Sequence, residues 1–324
     1  MELTLSKQRI ACIVGPTACG KTALALRVAA RCGAEIVSAD SVQVYRGLDI
    51  GSAKPTERER RAAPHHLIDC VEPENEAFSV SQYRDLADAA IGDIAGRGRF
   101  PLVVGGSGLY VNALVYPLNF AVPSDRAVRA ALEQDYPPED TARAWARLRQ
   151  VDPATADRLH PNDRKRIIRA LEVYRLSGRP LSSFGNDFSG TAGRPMRYDA
   201  LMIGLTMERA LLYERIDARV DRMMEAGLLE EARALAQRGL SRRLPALQSL
   251  GYRQLLDYLD GACTLPQAVA AIKQETRRFA KRQLSWFRRD GRIRWYDVSA
   301  LPEAELADAV AKKIINWKER EENE

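Results

Sequence analysis

Residues 10–26 read IACIVGPTACGKTALAL, and this stretch decides the fold. An apolar run is followed by a glycine-bounded loop, and Lys21 and Thr22 then lead into a segment rich in alanine and leucine. The eight residues from Gly15 to Thr22 match the pattern G-x-x-x-x-G-K-[ST]. They stand where that pattern needs them, after a predicted strand and before a predicted helix. The stretch therefore predicts a phosphate-binding loop.

The loop offers three kinds of group to a phosphorylated ligand. Backbone N–H groups at a helix N-terminus form a nest for phosphate oxygens, and the helix dipole adds to their attraction. Lys21 supplies a positive charge, and the hydroxyl of Thr22 predicts a ligand for Mg²⁺. The residues predicted to bind the phosphate compound are Gly15, Pro16, Thr17, Ala18, Cys19, Gly20, Lys21 and Thr22.

Strands and helices alternate over the first 120 residues, which predicts a parallel sheet with right-handed crossovers. The predicted strands are Arg9–Val14, Glu35–Ala39 and Phe100–Val104, and the predicted helices are Lys21–Arg31 and residues 79–98. From residue 122 onward the apolar spacing is helical, until an apolar strand returns at Asp199–Leu205. Long helices are predicted after it, at Glu208–Gln237 and Gln267–Arg288.

This order predicts an α/β fold, in which a P-loop parallel sheet flanked by helices carries an all-helical insertion domain. The predicted catalytic core comprises residues 1–121 and 199–324, and the predicted insertion comprises residues 122–198.

Composition excludes several classes of protein. A run of about 18 apolar residues, as a membrane span requires, does not occur in the sequence, and the N-terminus lacks the order of a signal peptide. The five cysteines form no C-x-x-C pair, which argues against a disulfide framework or a zinc site. We therefore expect a cytoplasmic protein. The net charge of +6 favours a polyanionic partner.

Asp40 follows the second predicted strand. Ligands of open α/β sheets bind outside the carboxyl ends of the strands, so Asp40 is expected beside the ligand of the P-loop. The nearby Gln43 and Tyr45 could contact a base through an amide and an aromatic ring. Alternatively, Asp40 caps a following helix. The third strand ends in glycines rather than in an acidic Mg²⁺ ligand, which argues against a motor ATPase.

Several further strings accompany the P-loop in a fixed order: SADSVQVYRGLDIGSAKP, PHHLID, VVGGSGLY and RRFAKRQLSWFRR. Together with GPTACGKT they resemble the tRNA dimethylallyltransferase family, from the P-loop to about Trp295. The chain ends without a cluster of cysteine and histidine, so it resembles the bacterial form of the family. His65 and His66 lie in one of these strings, and we interpret both as structural.

The resemblance implies that the loop holds the pyrophosphate of dimethylallyl pyrophosphate. The dimethylallyl group would pass to N6 of adenosine 37 of tRNA, next to the anticodon, with pyrophosphate as the leaving group. Loop N–H groups, Lys21 and Mg²⁺ are then expected to stabilise the departing charge, and Thr17 to donate a hydroxyl near the breaking bond. Asp40 is the expected general base. By resemblance, Arg215 helps to hold the pyrophosphate.

The positive charge is clustered in a segment that also carries aromatic residues. Residues 277–295 contain eight lysines or arginines and one aspartate, interleaved with phenylalanine and tryptophan, which favours RNA contact. The family threads the anticodon loop between the core and the helical insertion, and we expect a monomer that needs no protein partner. The residues expected to contact tRNA are Asp40, Ser41, Val42, Gln43, Ser107, Arg129, Asn162, Asp163, Arg164, Lys165, Arg166, Gln248, Ser249, Leu250, Gly251, Tyr252, Arg277, Arg278, Lys281, Arg282 and Gln283.

The residues leave three alternative functions open. A P-loop kinase of a nucleotide or small metabolite would explain the helical insertion as a lid, but it leaves the basic and aromatic segment unexplained. An RNA-binding NTPase would need the acidic Mg²⁺ ligand that the third strand lacks. An enzyme that prenylates free AMP or ATP would not need a long basic insertion.

Overall fold

The structure is a computed structural model that describes residues 7–120, 122–185 and 194–319. The chain divides into two compact units. The first, which we call the core unit, comprises Met1–Pro117 and Thr191–Glu324, and the second, the inserted unit, comprises Leu118–Gly190. The inserted unit thus begins four residues before, and ends eight residues before, the predicted insertion at residues 122–198.

A six-stranded sheet forms the centre of the core unit, and every neighbouring pair of its strands is parallel. The strands are β1 Arg9–Val14, β2 Ala34–Ser38, β3 His65–His66, β4 Phe100–Gly105, β5 Asp199–Thr206 and β6 Arg294–Asp297. Their order across the sheet is β3-β2-β4-β1-β5-β6. The P-loop follows the central strand β1, and β2 and β4 end beside it, so the predicted phosphate site lies where three strands end. This confirms the predicted P-loop α/β fold.

The helices in the described ranges are α1 Lys21–Cys32, α2 Glu57–Ala62, α3 Val80–Gly96, α4 Gly108–Val115, α5 Arg126–Asp135, α6 Thr141–Val151, α7 Pro153–Ala156, α8 Arg164–Ser177, α9 Arg209–Glu225, α10 Leu228–Gln237, α11 Tyr252–Leu259, α12 Leu265–Phe287 and α13 Glu303–Lys318. None of these helices combines the length and the apolar character needed to cross a bilayer. Helix α1 buries Leu24, Val28 and Ala29 against the sheet in a cluster that also contains residues of α13. A second apolar cluster joins α9, α10, α11 and α12 to the loop that follows β2.

One helix was predicted wrongly. Residues 208–237 form two helices instead of one, because the chain turns at Gly227, whose φ of +99° lies in the left-handed region that favours glycine. Apolar spacing continues across the break, since Val220 and Leu228 pack into the same cluster. Periodicity alone therefore concealed the turn.

The inserted unit is built from helices α5 to α8 around its own apolar core. Leu132, Leu148, Ile167 and Leu171 are buried there. The carboxylate of Glu172 is also fully buried, and it accepts hydrogen bonds from two arginines of this unit, as described below. The all-helical insertion predicted from the sequence is confirmed.

The two chain segments that connect the units are tied together within the core unit. The N–H of Arg197, before β5, donates to the carbonyl of Val115, at the end of α4, over 2.8 Å. Next to this pair, the Tyr116 hydroxyl donates to the buried Asp290, and the Arg292 guanidinium lies 4.6 Å from the Tyr116 ring centroid. The outgoing and returning segments therefore meet at one point of the core unit.

Candidate active site

The P-loop has the backbone conformation that its glycines predict. Gly15 has a φ of +145°, and a Cβ at this position would lie 2.6 Å from the carbonyl oxygen of Leu205. Gly20 has a φ of +87° and directly precedes α1. Cys19 is 1% exposed, and burial raises the pKa of its thiol, so it anchors the loop as a neutral apolar group. The loop thus leads directly into the N-terminus of α1, a position that favours an anionic ligand.

Lys21 lies inside the ring of the loop. Its ammonium donates to the carbonyls of Gly15, at 3.0 Å, and Pro16, at 2.7 Å. Burial lowers its pKa, and the neighbouring charge of Arg219 lowers it further, whereas Cys19 and Asp40 oppose the decrease. Lys21 is partly buried, and a cation in such a site attracts an anionic ligand more strongly than one in bulk water.

A cavity of about 680 Å³ opens at the P-loop within the core unit. Its walls are formed by the P-loop, the ends of β2 and β4, the loop after β2, and one face of α9 and α12. The predicted residues that line it are Thr17, Ala18, Gly20, Lys21, Thr22, Asp40, Gln43, Arg215 and Gln283. The volume lies within the usual range for small-molecule sites. The structure therefore brings the predicted catalytic residues into one cavity.

Asp40 lines this cavity, and one of its two carboxylate oxygens is already hydrogen-bonded. Its Oδ1 accepts hydrogen bonds from the N–H groups of Val42, at 2.8 Å, and Gln43, at 3.3 Å. A turn follows, so the alternative of a helix cap is not observed. In the described structure Oδ2 makes no hydrogen bond. Asp40 is thus oriented by its own turn and keeps an oxygen that can accept a proton.

Arg219 is a cavity-lining cation that the sequence did not single out. It lies one turn after Arg215 on α9 and also lines the cavity, as does Arg222. Within the described residues, none of these three side chains makes a hydrogen bond or an ion pair. Burial lowers the pKa of Arg219, against the attraction of Asp40. The signal in the sequence was the spacing of four residues from Arg215, which places both on one face of a helix.

The loop after Asp40 is held by internal bonds. The Gln43 amide accepts from the Ser38 hydroxyl over 3.0 Å and donates to the carbonyls of residues 52 and 53, so its predicted role as a base contact competes with these bonds. The Lys54 ammonium donates to Asp49, at 2.6 Å, and Asp69, at 2.5 Å. The Glu231 carboxylate accepts from the backbone N–H groups of residues 49, 50 and 51.

The glycines of VVGGSGLY make room for neighbouring groups. A Cβ on Gly105 would lie 2.1 Å from the carbonyl oxygen of Ala39, the residue before Asp40. A Cβ on Gly106 would lie 2.3 Å from the Gln283 amide nitrogen, and one on Gly108 would overlap the Trp286 ring at 2.3 Å. These close approaches bring β2 and α12 against the end of β4.

His66 is engaged in a charged network with Glu35 and Arg97, whereas His65 also lines the cavity. The interpretation of both as structural stays a prediction. His66 Nε2 lies 2.8 Å from the carboxylate of Glu35, which also binds Arg97. Hydrogen bonds from Arg97 lower the pKa of Glu35 to about 2. His65 Nδ1 lies 2.7 Å from the carbonyl of Ala63, and burial lowers the pKa of its ring.

The predicted tRNA contacts in the core unit differ in exposure. On α12, Arg278, Lys281 and Arg282 are exposed, whereas Arg277 is paired with Asp217 at 2.5 Å. The Ser107 hydroxyl accepts from the N–H of Ser41 at 2.9 Å.

Three of the expected contacts in the core unit, Gly251, Tyr252 and Gln283, are buried. Tyr252 is fully buried, with its ring against Gly51, and Gln283 is 6% exposed. In the segment that leads to Tyr252, Gln248 is exposed, Ser249 and Leu250 are partly buried, and Gly251 is buried. The side chains of Tyr252 and Gln283 therefore have almost no surface that could contact RNA.

Five of the six predicted contacts in the inserted unit lie at the start of α8, and the sixth, Arg129, lies on α5. Asn162, Lys165 and Arg166 are exposed, and the side chain of Asp163 caps the helix by accepting from the N–H of Arg166 at 3.4 Å. Arg129 donates to the buried Glu172 over 2.7 Å, and Arg169 donates to the same carboxylate. A helix N-terminus with several cations favours phosphate groups.

No group of three or more histidine, cysteine, aspartate or glutamate residues in the described ranges could hold a metal ion. The cavity instead offers the hydroxyl of Thr22 at the start of α1. This donor set fits a Mg²⁺ ion that takes most of its ligands from phosphate oxygens and water.

Comparisons with known proteins point to one family of transferases. A model of the IPP transferase family matches residues 43–290, and a model described as isopentenyl transferase matches residues 8–70. The chain is 51% identical over 286 residues to a tRNA dimethylallyltransferase of Desulforudis audaxviator, covering 88% of this chain and 91% of the relative. It is 52% identical over 293 residues to that of Symbiobacterium thermophilum, covering 90% of each.

Two solved structures are also similar. A full-length tRNA isopentenylpyrophosphate transferase from Bacillus halodurans has a TM-score of 0.71 and 41% identity, over 96% of this chain and 97% of the other. A eukaryotic dimethylallyltransferase acting on tRNA has a TM-score of 0.79 and 26% identity, over 98% of this chain and 81% of the other.

Proposed function

The chain belongs to the IPP transferase family, together with the tRNA dimethylallyltransferases, and we propose that it transfers a dimethylallyl group from dimethylallyl pyrophosphate to N6 of an adenosine of tRNA. The adenosine is the one next to the anticodon, at position 37. The products are N6-isopentenyl-adenosine and pyrophosphate. The kinase alternative is not favoured, because the relatives that span almost the whole chain are named as prenyltransferases.

The cavity suits a reaction in which pyrophosphate departs. As N6 attacks the allylic carbon, the bond from this carbon to the pyrophosphate oxygen breaks, and negative charge grows on the leaving group. The P-loop N–H groups, Lys21, Arg215 and Arg219 line the same cavity and can stabilise that charge. The Thr17 hydroxyl can donate to the oxygen of the breaking bond. These groups bind the transition state more strongly than the substrate, because the charge is larger there.

The observation that carries the proposal is the free oxygen of Asp40 in the cavity that Lys21 also lines. The adenine amine is a weak nucleophile, because its lone pair is delocalised into the ring. Transfer of a proton from N6 to Oδ2 of Asp40 during the attack keeps the product neutral at nitrogen. Its turn holds Asp40 in place for this step, since Oδ1 stays bonded to two N–H groups.

Magnesium is the proposed metal, with the Thr22 hydroxyl as its protein ligand. When bound, Mg²⁺ neutralises part of the charge on the pyrophosphate. The residues of the chain contribute the remaining positive charge and fix the orientation of the ligand.

Two surfaces are proposed to contact tRNA. In the core unit the exposed cations of α12, Arg278, Lys281 and Arg282, can bind backbone phosphates. In the inserted unit the start of α8, with Lys165 and Arg166, offers a second site of the same kind. We further propose that the enzyme acts in the cytoplasm and needs no protein partner.

The test is prenylation of unmodified tRNA with labelled dimethylallyl pyrophosphate and Mg²⁺, in wild type and in Asp40→Asn. The asparagine keeps an oxygen that can accept from the N–H groups of Val42 and Gln43, but it cannot take the proton. We expect label on tRNA in the wild type and at least about a hundredfold slower transfer in the variant, with tRNA binding retained. Label on free AMP, or phosphate transfer from ATP without label on tRNA, would contradict the proposal.

A further inference from the structure

Gln283 connects helix α12 to the P-loop through both ends of its amide. Its Oε1 accepts a hydrogen bond from the backbone N–H of Thr17 over 2.8 Å. Its Nε2 donates to the carbonyl of Gly106 over 3.0 Å. The side chain is 6% exposed, so water cannot readily replace either bond.

The sequence places this amide on the face of α12 that packs on the catalytic centre. Phe279, Gln283 and Trp286 are spaced by four and three residues and therefore share one side of the helix. Phe279 and Gln283 line the cavity, and the Trp286 ring fits where Gly108 has no side chain. The exposed Lys281 is separated from Gln283 by about 160° around the helix, and the Arg282 guanidinium lies 5.8 Å from the Phe279 ring centroid. Gln283 itself is buried beneath the proposed RNA surface.

Two side chains bind the backbone of the P-loop between Gly15 and Thr17. Lys21 binds the carbonyls of Gly15 and Pro16, and Gln283 binds the N–H of Thr17. These bonds together fix the position of Thr17, whose hydroxyl is proposed to act at the breaking bond. Reacting groups that move by about 1 Å can lose a hundredfold in rate, so this restraint bears directly on turnover.

We propose that Gln283 is a positioning residue, which holds the P-loop at Thr17 in the conformation that binds pyrophosphate, rather than a tRNA contact. The inference rests on the proposed function and adds the residue that aligns its leaving-group site. Gly106 is part of the same hydrogen-bonded arrangement, because any larger residue there would displace the amide of Gln283.

The experiment compares wild type with Gln283→Met, which keeps the length of the side chain but removes both hydrogen bonds. Hydrogen exchange of the peptide that contains Thr17 reports the bond itself, and calorimetric titration with inorganic pyrophosphate and Mg²⁺ reports its effect. We expect exchange at Thr17 at least tenfold faster and pyrophosphate binding about tenfold to a hundredfold weaker. The affinity for tRNA and the KM for tRNA should stay unchanged while kcat falls.

A second variant and a matched control separate positioning from RNA contact. Gly106→Ala displaces the amide of Gln283 from the opposite side and should give the same pattern as Gln283→Met. The test therefore still holds if one of the two variants fails to fold. Lys281→Ala, two residues before Gln283 on the exposed side of α12, should weaken tRNA binding and leave pyrophosphate binding intact.

The inference is overturned if Gln283→Met binds pyrophosphate as the wild type does and loses affinity for tRNA, or if exchange at Thr17 is unchanged. A wild-type protein that binds pyrophosphate but prenylates no tRNA would refute the proposed function, but not the positioning of the P-loop by Gln283. A wild type that does not bind pyrophosphate would overturn both.

Discussion

Replacing Arg219 by glutamine should separate activity from stability. Arg219 lines the cavity without an ion pair or a hydrogen bond in the described residues, and burial lowers the pKa of its guanidinium. A charge of this kind contributes little to folding, because its removal leaves no partner unpaired. It lies, however, in the cavity where the proposed reaction develops negative charge on pyrophosphate. Arg219→Gln should therefore lose catalysis while the fold persists.

The expected size of each effect follows from this environment. One preorganised donor to a developing oxyanion contributes roughly 3–4 kcal/mol, so kcat/KM should fall about a hundredfold to a thousandfold. The free energy of unfolding should change by less than about 1 kcal/mol, because relief of desolvation and loss of the attraction to Asp40 oppose each other. The melting temperature of the ligand-free protein should accordingly move by no more than about 3 °C.

The assay measures kcat/KM for transfer to tRNA and thermal unfolding of the same preparations without ligand. Arg209→Gln is the matched control, since Arg209 is exposed on the same helix and lies outside the cavity. The control should match the wild type in both measurements. The reasoning fails if Arg219→Gln keeps its activity, or if it melts many degrees lower, which would make Arg219 a structural residue.

Four further variants test other parts of the structure. Gly105→Ala should destabilise the protein by several kcal/mol in thermal unfolding, because its Cβ would lie 2.1 Å from a backbone oxygen. Gly92→Ala should instead stabilise it by about 0.5–1 kcal/mol, because Gly92 lies on α3 and no atom is within 4 Å of the added Cβ. The depressed pKa of Glu35, about 2 against 4.5, stabilises the fold above pH 4.5, and this contribution is lost as the pH falls toward 2. Glu35→Gln should remove that part of the acid dependence in unfolding curves recorded between pH 5 and 2. Glu231→Ala should free three backbone N–H groups of the loop after β2 and make this loop more sensitive to limited proteolysis. An unchanged cleavage pattern would show that Glu231 does not hold the loop in place.

The sequence predicted the parts of the molecule that depend on local patterns. The P-loop, the strands β1, β4 and β5 and the helical insertion were confirmed, because alternation and glycine spacing encode them directly. The family was also confirmed, since several specific strings occur in order. The roles of the individual site residues, the Mg²⁺ ion and the contacts with RNA stay predictions.

The parts that the sequence did not predict depend on distant partners. Strand β3 has two residues and β6 has four, too few for a period of two to stand out, and both exist through pairing with a neighbour. Gln283 and Thr17 are 266 positions apart, so no local pattern reveals their bond. Arg219 was missed because an arginine on a polar helix is normally exposed.

The hydrogen bond between Arg197 and Val115 has a consequence for how this protein can change over evolution. Since the outgoing and returning chain already meet in the core unit, the sheet does not depend on what is inserted between them. Lengthening or shortening the insertion changes the entropy of closing that loop only slowly, by roughly 0.6 kcal/mol per doubling. The inserted unit is therefore a replaceable module, and its helices can vary in number and length while β1 and β5 keep their register.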